Sequence, residues 1–247
     1  MNDNAIWIQS LEKKLAAQWK EIMDGSGLTR AILNGCSDRR LLALYLAQTY
    51  HYAGQSMQTQ AIVGLRVGQQ DHRYLKFCYK HASEEVGHEL MALHDLKRMG
   101  VPTDRIVDDP PLTATHVLVA YLHGISSLGN PVQRLGYSYW AERWFRYAGP
   151  ALEALIRNMR LKPDDVTFFT VHAKIDAKHS EEVEEILKLV VKTNRDRRDV
   201  ERVMETSLRL MGSILNEVYE TYARLEKGQA PEFEYLNVLN RAEVTAA

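Results

Sequence analysis

A chain of 247 residues, 45% hydrophobic and 26% charged, can bury a substantial core and has the composition of neither a disordered nor a membrane protein. Its formal net charge of −1 leaves no basic footprint for nucleic acid or an anionic membrane. Two cysteines, Cys36 and Cys78, are too few for a disulfide framework and predict a reducing, cytoplasmic setting. The opening Met1-Asn2-Asp3-Asn4 lacks the basic and apolar regions of a signal peptide, and no apolar run approaches the ~18 residues of a membrane span.

Helical period runs along the whole chain, and no stretch alternates well enough to be a strand. Trp7, Leu11, Leu15, Trp19 and Ile22 make an amphipathic first helix that stops near Gly25 and Gly27. A short apolar segment over 31–33 ends at Gly35. Ser37 is the expected N-cap of a helix running to Gly68. Asp71 caps the next, which continues to Gly100 with Pro102 just beyond. Residues 101–111, with three prolines, read as a connector. Two helices are expected over 112–127 and 131–160, and Gly149-Pro150 should kink or break the second. Pro163-Asp164-Asp165 opens a helix that runs to about Thr193, and a final helix ends near Gly228. The pattern predicts an all-α bundle of about seven or eight helices, with residues 1–247 forming one domain.

Polar residues interrupt three of the inward stripes. His172, Asp176 and His179 stand at i, i+4 and i+7, with Phe169 before them and Val183, Ile186 and Val190 after them on one face. Burying them unpaired costs roughly 2–7 kcal/mol each even when neutral, and imidazoles beside a carboxylate suggest a metal. Glu85 and His88 break a stripe that otherwise reads Leu75, Cys78, Ala82, Ala92 and Leu96, with Glu84 as the alternative carboxylate. Glu142 stands alone on a stripe with Leu135, Tyr139 and Phe145. The bland alternatives are a solvated Glu85–His88 pair, a Glu142 bonded to Tyr139, Arg143 or Arg146, and a charged helix face at 172–179. Together, two glutamates, an aspartate and three histidines are the makings of a two-metal site with a modest residual positive charge. His81 reads as an outer partner or a spare ligand, His51 as a core histidine, and Cys78 as a small core residue more than a nucleophile. There is no Gly-rich phosphate loop, Gly-x-Ser-x-Gly or Cys-x-x-Cys.

A ferritin-like ligand set needs a glutamate on the second long helix, and the segment 37–68 has none. Glu84-Glu85-Val86-Gly87-His88, Glu142 and His172-x-x-x-Asp176-x-x-His179 instead make the chain resemble the heme-oxygenase-like diiron oxidases and oxygenases, the iron-containing redox enzymes of the TenA/PqqC-like superfamily. The resemblance covers most of residues 37–193. It implies a heme-oxygenase-like helical bundle with Glu85 (or Glu84), His88, Glu142, His172, Asp176 and His179 as ligands. Some members place six residues between the first glutamate and the histidine; here the residue seven before His88 is His81. A lineage that consumes its own tyrosine to make p-aminobenzoate needs a tyrosine before Ser37 and a lysine after the bridging glutamate. Residues 28–36 contain no tyrosine and 143–160 no lysine.

By this resemblance the chain is a cytoplasmic oxidoreductase with two Fe(II), Mn(II) as a competitor and dioxygen as co-substrate. It is expected to oxidise a small molecule, an amine or amino acid ahead of a fatty acid, with electrons from a donor of unknown identity and a homodimer as the default assembly. Glu142, alone among apolar and aromatic neighbours, is expected to bridge the metals. The alternative is a metal-free TenA/PqqC-like enzyme or a ligand-binding helical protein.

Overall fold

The computed structural model describes residues 3–239, and of residues 3 and 173–177 the backbone alone. Helices α1 (Asp3–Gly25) and α2 (Gly27–Leu33) are followed by α3 (Arg39–Ala53) and α4 (Ser56–Val67), then α5 (His72–Glu84) and α6 (His88–Arg98). Next come α7 (Thr103–Asp108), α8 (Thr113–Ser127), α9 (Leu135–Ala141), α10 (Trp144–Asn158), α11 (Thr167–Val190) and α12 (Asn194–Glu226). No strand occurs among the described residues. The expected long helices are present, but three of them are interrupted, which raises the number of segments above seven or eight.

The axis of the assembly is α12, which packs against α1, α2, α3, α8 and α9. Its buried stripe, from Val200 and Met204 through Leu208, Met211 and Leu215 to Val218 and Leu225, keeps the three-and-four spacing of one helical face. The helix starts on a capping box: Thr193 Oγ1 accepts from Asp196 N at 3.1 Å, and Asp196 Oδ2 accepts from Thr193 N at 2.8 Å. Asn130 donates to the second oxygen of Asp196 at 2.7 Å. The α9 end of the bundle is pinned by Gly136, where an added Cβ would lie 2.2 Å from the Val200 carbonyl oxygen. Only glycine allows that approach. Trp140 adds an indole N–H bond to Ser207 Oγ at 2.8 Å.

Each interruption has a local cause. The expected helix over 71–100 stops at Glu85 because Gly87 adopts φ +86, a left-handed turn that a helix interior cannot contain. The expected helix over 37–68 starts from Asp38, not Ser37: the Asp38 carboxylate accepts from Arg40 N at 2.8 Å. It breaks at Gly54-Gln55. At Gly149-Pro150, where a kink or a break is expected, the helix does not end, since Pro150 lies inside α10. The chain breaks at Glu142-Arg143 instead, where Arg143 N bonds to Trp140 O and leaves the Tyr139 carbonyl without its helical partner. The Arg143 guanidinium takes that carbonyl at 3.1 Å. The break also rotates the chain downstream of it, so Arg143 is buried and Phe145, expected on the inward stripe, is 37% exposed.

Removing the α12 cap should be measurable. Asp196→Ala is expected to cost about 1 kcal/mol, lowering Tm by about 2–4 °C in a thermal melt of a chain this size. Burial works to raise the Asp196 pKa, but the Thr193 and Lys192 backbone N–H groups and Asn130 outweigh it, leaving it below the ordinary value. A depressed carboxylate stabilises above its unfolded pKa and loses that contribution as pH falls through the folded one. The deficit of the variant should therefore be full at pH 7 and shrink below about pH 3.9.

Candidate metal centre

Four elements deliver the site: the end of α5 and its following turn (His81, Glu85), the start of α6 (His88), the end of α9 (Glu142), and α11 (His172, His179). Both carboxylates occupy the residue that ends a helix. His81, Glu85, Glu142 and His179 each offer one ligand atom, and these atoms lie within 4.8 Å of one another. Glu142 is held between two imidazoles, with Oε1 3.1 Å from His81 Nε2 and Oε2 3.3 Å from His179 Nδ1. Glu85 Oε1 lies 3.3 Å from His88 Nδ1 and 3.9 Å from His179 Nδ1. His172 Nε2 meets His88 Nδ1 at 3.0 Å, extending the cluster by a second pair of imidazoles.

The outer ring nitrogens fix which lone pairs face inward. His172 Nδ1–H donates to the Phe168 carbonyl at 2.8 Å. His179 Nε2 lies 3.4 Å from Glu84 Oε2, a carboxylate also held by Lys80 at 3.0 Å and Lys178 at 3.5 Å. Such outer partners orient metal-binding imidazoles and raise their basicity. Glu84 thus stands on the far side of His179 from the cluster, and Glu85 is the carboxylate of that pair which joins it.

The charges inside are strongly coupled. Burial works to raise the Glu142 pKa, yet the imidazoles of His179 and His81 beside it hold the carboxyl far below the ordinary range. Glu85 is held lower against burial chiefly by His88, with Glu142 opposing. His179 is raised because Glu142, Glu85 and Glu84 together outweigh its burial. His172 is lowered, first by burial and then by His88. Among the described residues, His81 Nδ1 and His179 Nδ1 have no well-aligned hydrogen-bond partner, an arrangement that costs about 1–3 kcal/mol per buried group. Two carboxylates and two imidazoles with spare lone pairs would neutralise and ligate a divalent cation, and this donor set suits iron, manganese or zinc. The residues fit a metal. Its entry would displace the proton whose binding to His179 the three surrounding carboxylates favour.

Of the residues singled out in the sequence, Glu85, His88, Glu142, His172 and His179 are brought together; the side chain of Asp176 lies outside the described residues. Glu142 does not bond to Arg143, which turns to Tyr139 O, Ser180 O and Glu184. Glu85 and His88 meet across a turn and not along one helical face. His81, expected as an outer partner or a spare ligand, is a full member of the cluster. It precedes Glu85 by four residues on α5 and so shares its face, a sequence signal fainter than the Glu-x-x-His pair beside it.

Beside the cluster lies a cavity of about 150 Å³, a volume that accommodates a benzene-sized molecule. Glu85, Glu142 and His172 form its polar edge; Trp140, Trp144, Phe168, Phe169, Leu152 and Met211 make much of the wall. Among the described residues no lysine or arginine lines it.

An all-α assembly of this kind, with a buried His/Glu cluster against an apolar cavity, has the heme-oxygenase-like fold. The chain belongs to the iron-containing redox enzyme family, whose model matches residues 43–212. A domain of unknown function with a heme oxygenase-like fold from Shewanella denitrificans is 44% identical, with a TM-score of 0.88 over 91% of this chain and 97% of that one. A TenA homologue from Pseudomonas syringae shares the fold at 14% identity, TM-score 0.73, over 87% and 93% of the two chains. One from Pyrococcus furiosus does so at 12% identity, TM-score 0.69, over 86% and 99%. No curated protein matches the chain at a significant level. Among the described residues no helix is long and apolar enough to cross a membrane.

The two thiols should separate cleanly. Burial pushes the Cys78 thiol up to about 12, and it is fully buried, whereas Cys36 is exposed. Since the thiolate is the nucleophile, a thiol reagent at pH 8 should label Cys36 alone in the native protein and both cysteines after denaturation. Mass mapping of the labelled peptides checks this; native labelling of Cys78 would contradict its burial.

Proposed function

We propose that the chain is a non-heme iron enzyme that uses dioxygen to oxidise a small amine with a largely apolar body. The observation that carries this reading is the overlap of cluster and cavity: Glu85 and Glu142 belong to the four-donor group and also border the apolar space. His81, Glu85, Glu142 and His179 would hold one metal. His88 and His172 would hold a second beside the shared Glu85, with Asp176 as the further ligand expected from the sequence. Iron bound there supplies the redox chemistry that couples dioxygen reduction to substrate oxidation, and manganese is the competing metal.

The chain's own part is to select, orient and exclude. The aromatic wall takes an apolar body and keeps water from the donors, which strengthens every charge interaction at the cluster edge. Among the described residues no lysine or arginine lines the cavity, so its wall offers no side-chain cation to the carboxylate of a free amino acid. This favours the amine over the amino acid. Glu85, set between the two pairs of imidazoles, is as well placed as Glu142 to serve both metal positions.

Anaerobic titration of metal-free protein with Fe(II) should saturate near two equivalents per chain, the number the paired donor sets suggest. His179→Ala and His81→Ala should each lower occupancy while circular dichroism stays helical. Glu84→Gln should keep the stoichiometry but weaken affinity about 10–100-fold, as loss of an orienting partner does. Oxygen uptake by the loaded protein should rise with alkyl or aryl amines more than with free amino acids. Saturation at one equivalent would replace the pair with a single-iron centre, and no uptake of iron would leave a metal-free enzyme or a ligand-binding protein.

A further inference from the structure

The cavity wall continues into a file of oxidisable rings that leads out of the protein. Tyr137 and Trp140, both lining the cavity, meet edge to face with centroids 5.1 Å apart. Trp140 meets Trp19 at 5.9 Å, again edge to face. Trp19 stacks on Tyr147 at 5.8 Å with planes only 13° apart. The last phenol donates to Glu12 Oε1 at 2.7 Å, and the Glu12 side chain is 37% exposed. Tyrosine and tryptophan are the side chains most readily oxidised by one electron without forming a covalent adduct. Oxidising a phenol also requires that its proton leave, and an acceptor hydrogen-bonded to the O–H removes that obstacle.

We propose that Tyr137, Trp140, Trp19 and Tyr147 form a path for one-electron transfer between the metal centre and Glu12 at the surface. It rests on the reading that dioxygen is reduced at the centre, dioxygen being the oxidant. When reduction runs without a substrate to oxidise, an electron passes from Tyr147 through Trp19, Trp140 and Tyr137 to the centre. The Tyr147 phenolic proton moves to the Glu12 carboxylate, leaving a neutral tyrosyl radical at Tyr147. The centre gains one electron, and Tyr147 loses one electron and one proton. The radical then stands where an external reductant can reach it, not beside the ligands. Tyr139 also donates to Glu12, at 2.6 Å, but the Arg143 guanidinium lies 4.0 Å over its ring and disfavours removal of an electron from it; Arg134 lies likewise 4.4 Å over the Tyr137 ring, so that ring bridges Trp140 to the centre without holding the radical.

The test does not need iron. Laser photoionisation of tryptophan in the metal-free protein should give a tryptophan radical that converts to a tyrosyl radical, followed by transient absorption and by electron paramagnetic resonance of frozen samples. Tyr147→Phe should abolish the conversion, and Trp19→Phe, which keeps an aromatic ring in the core, should strand the radical on tryptophan. Glu12→Gln should slow the conversion, and Tyr139→Phe should not affect it. Circular dichroism checks that each variant is folded. Unchanged tyrosyl yield and rate in both Tyr147→Phe and Trp19→Phe would overturn the path. A second arm exposes the iron-loaded protein to dioxygen without substrate and maps oxidised residues by mass spectrometry, with Tyr147 expected to be marked. Conversion in the metal-free protein together with no oxygen uptake by the loaded protein would overturn the dioxygen reading and not the ring path, whereas oxygen uptake with no oxidation of Tyr147 would overturn the path.

Discussion

Glu85 and Glu142 are buried within a few ångströms of each other, and the rest of the molecule is arranged around keeping both carboxylates ionised there. Two such charges at about 4 Å repel by roughly 4 kcal/mol at an effective dielectric of about 20, before any cost of leaving water. Imidazoles from α5, α6 and α11 surround them, and on α11 His179 is held in turn by Glu84 and His172 by the Phe168 carbonyl. Without a cation the cluster relies on its imidazoles to balance the carboxylates. With one, it becomes a ligand set.

Both carboxylates sit where a helix ends, and this placement follows from backbone chemistry. Gly87 makes the first break through its left-handed φ. Arg143 makes the second tolerable by supplying a side-chain donor to the carbonyl that the break leaves free. The Gly136 contact with the Val200 carbonyl then fixes the depth of α9 against α12, and with it the height of Glu142.

Much of this was legible in the residue pattern. The stripe of α12 and the histidine pair of α11 follow from helical period alone, because burial of a face repeats at three and four. The breaks were less so. Proline and glycine at 149–150 carry the stronger breaking signal, yet the helix continues there; a single missing N–H costs less than displacing the buried Ala151 and Leu152. The break at 142–143 depends on a long-range satisfaction by a guanidinium, which no local propensity encodes. His81 was visible as a histidine one turn before Glu85, but its meeting with Glu142 depends on how α5 and α9 approach, and that is set by tertiary packing.

The Gly136 contact has a further consequence for how an ion would be taken up. It and the Trp140–Ser207 bond hold α9 against the longest helix, so the Glu142 arm of the site is placed by folding itself. An ion arriving there gives up its own hydration but need not order that stretch of chain, unlike a metal that must fold its own ligands. Occupancy and folding are thereby uncoupled on this side of the site. A chelator could empty the centre and leave α9 and α12 packed, with melting temperature shifting only by the mass action of the bound ion.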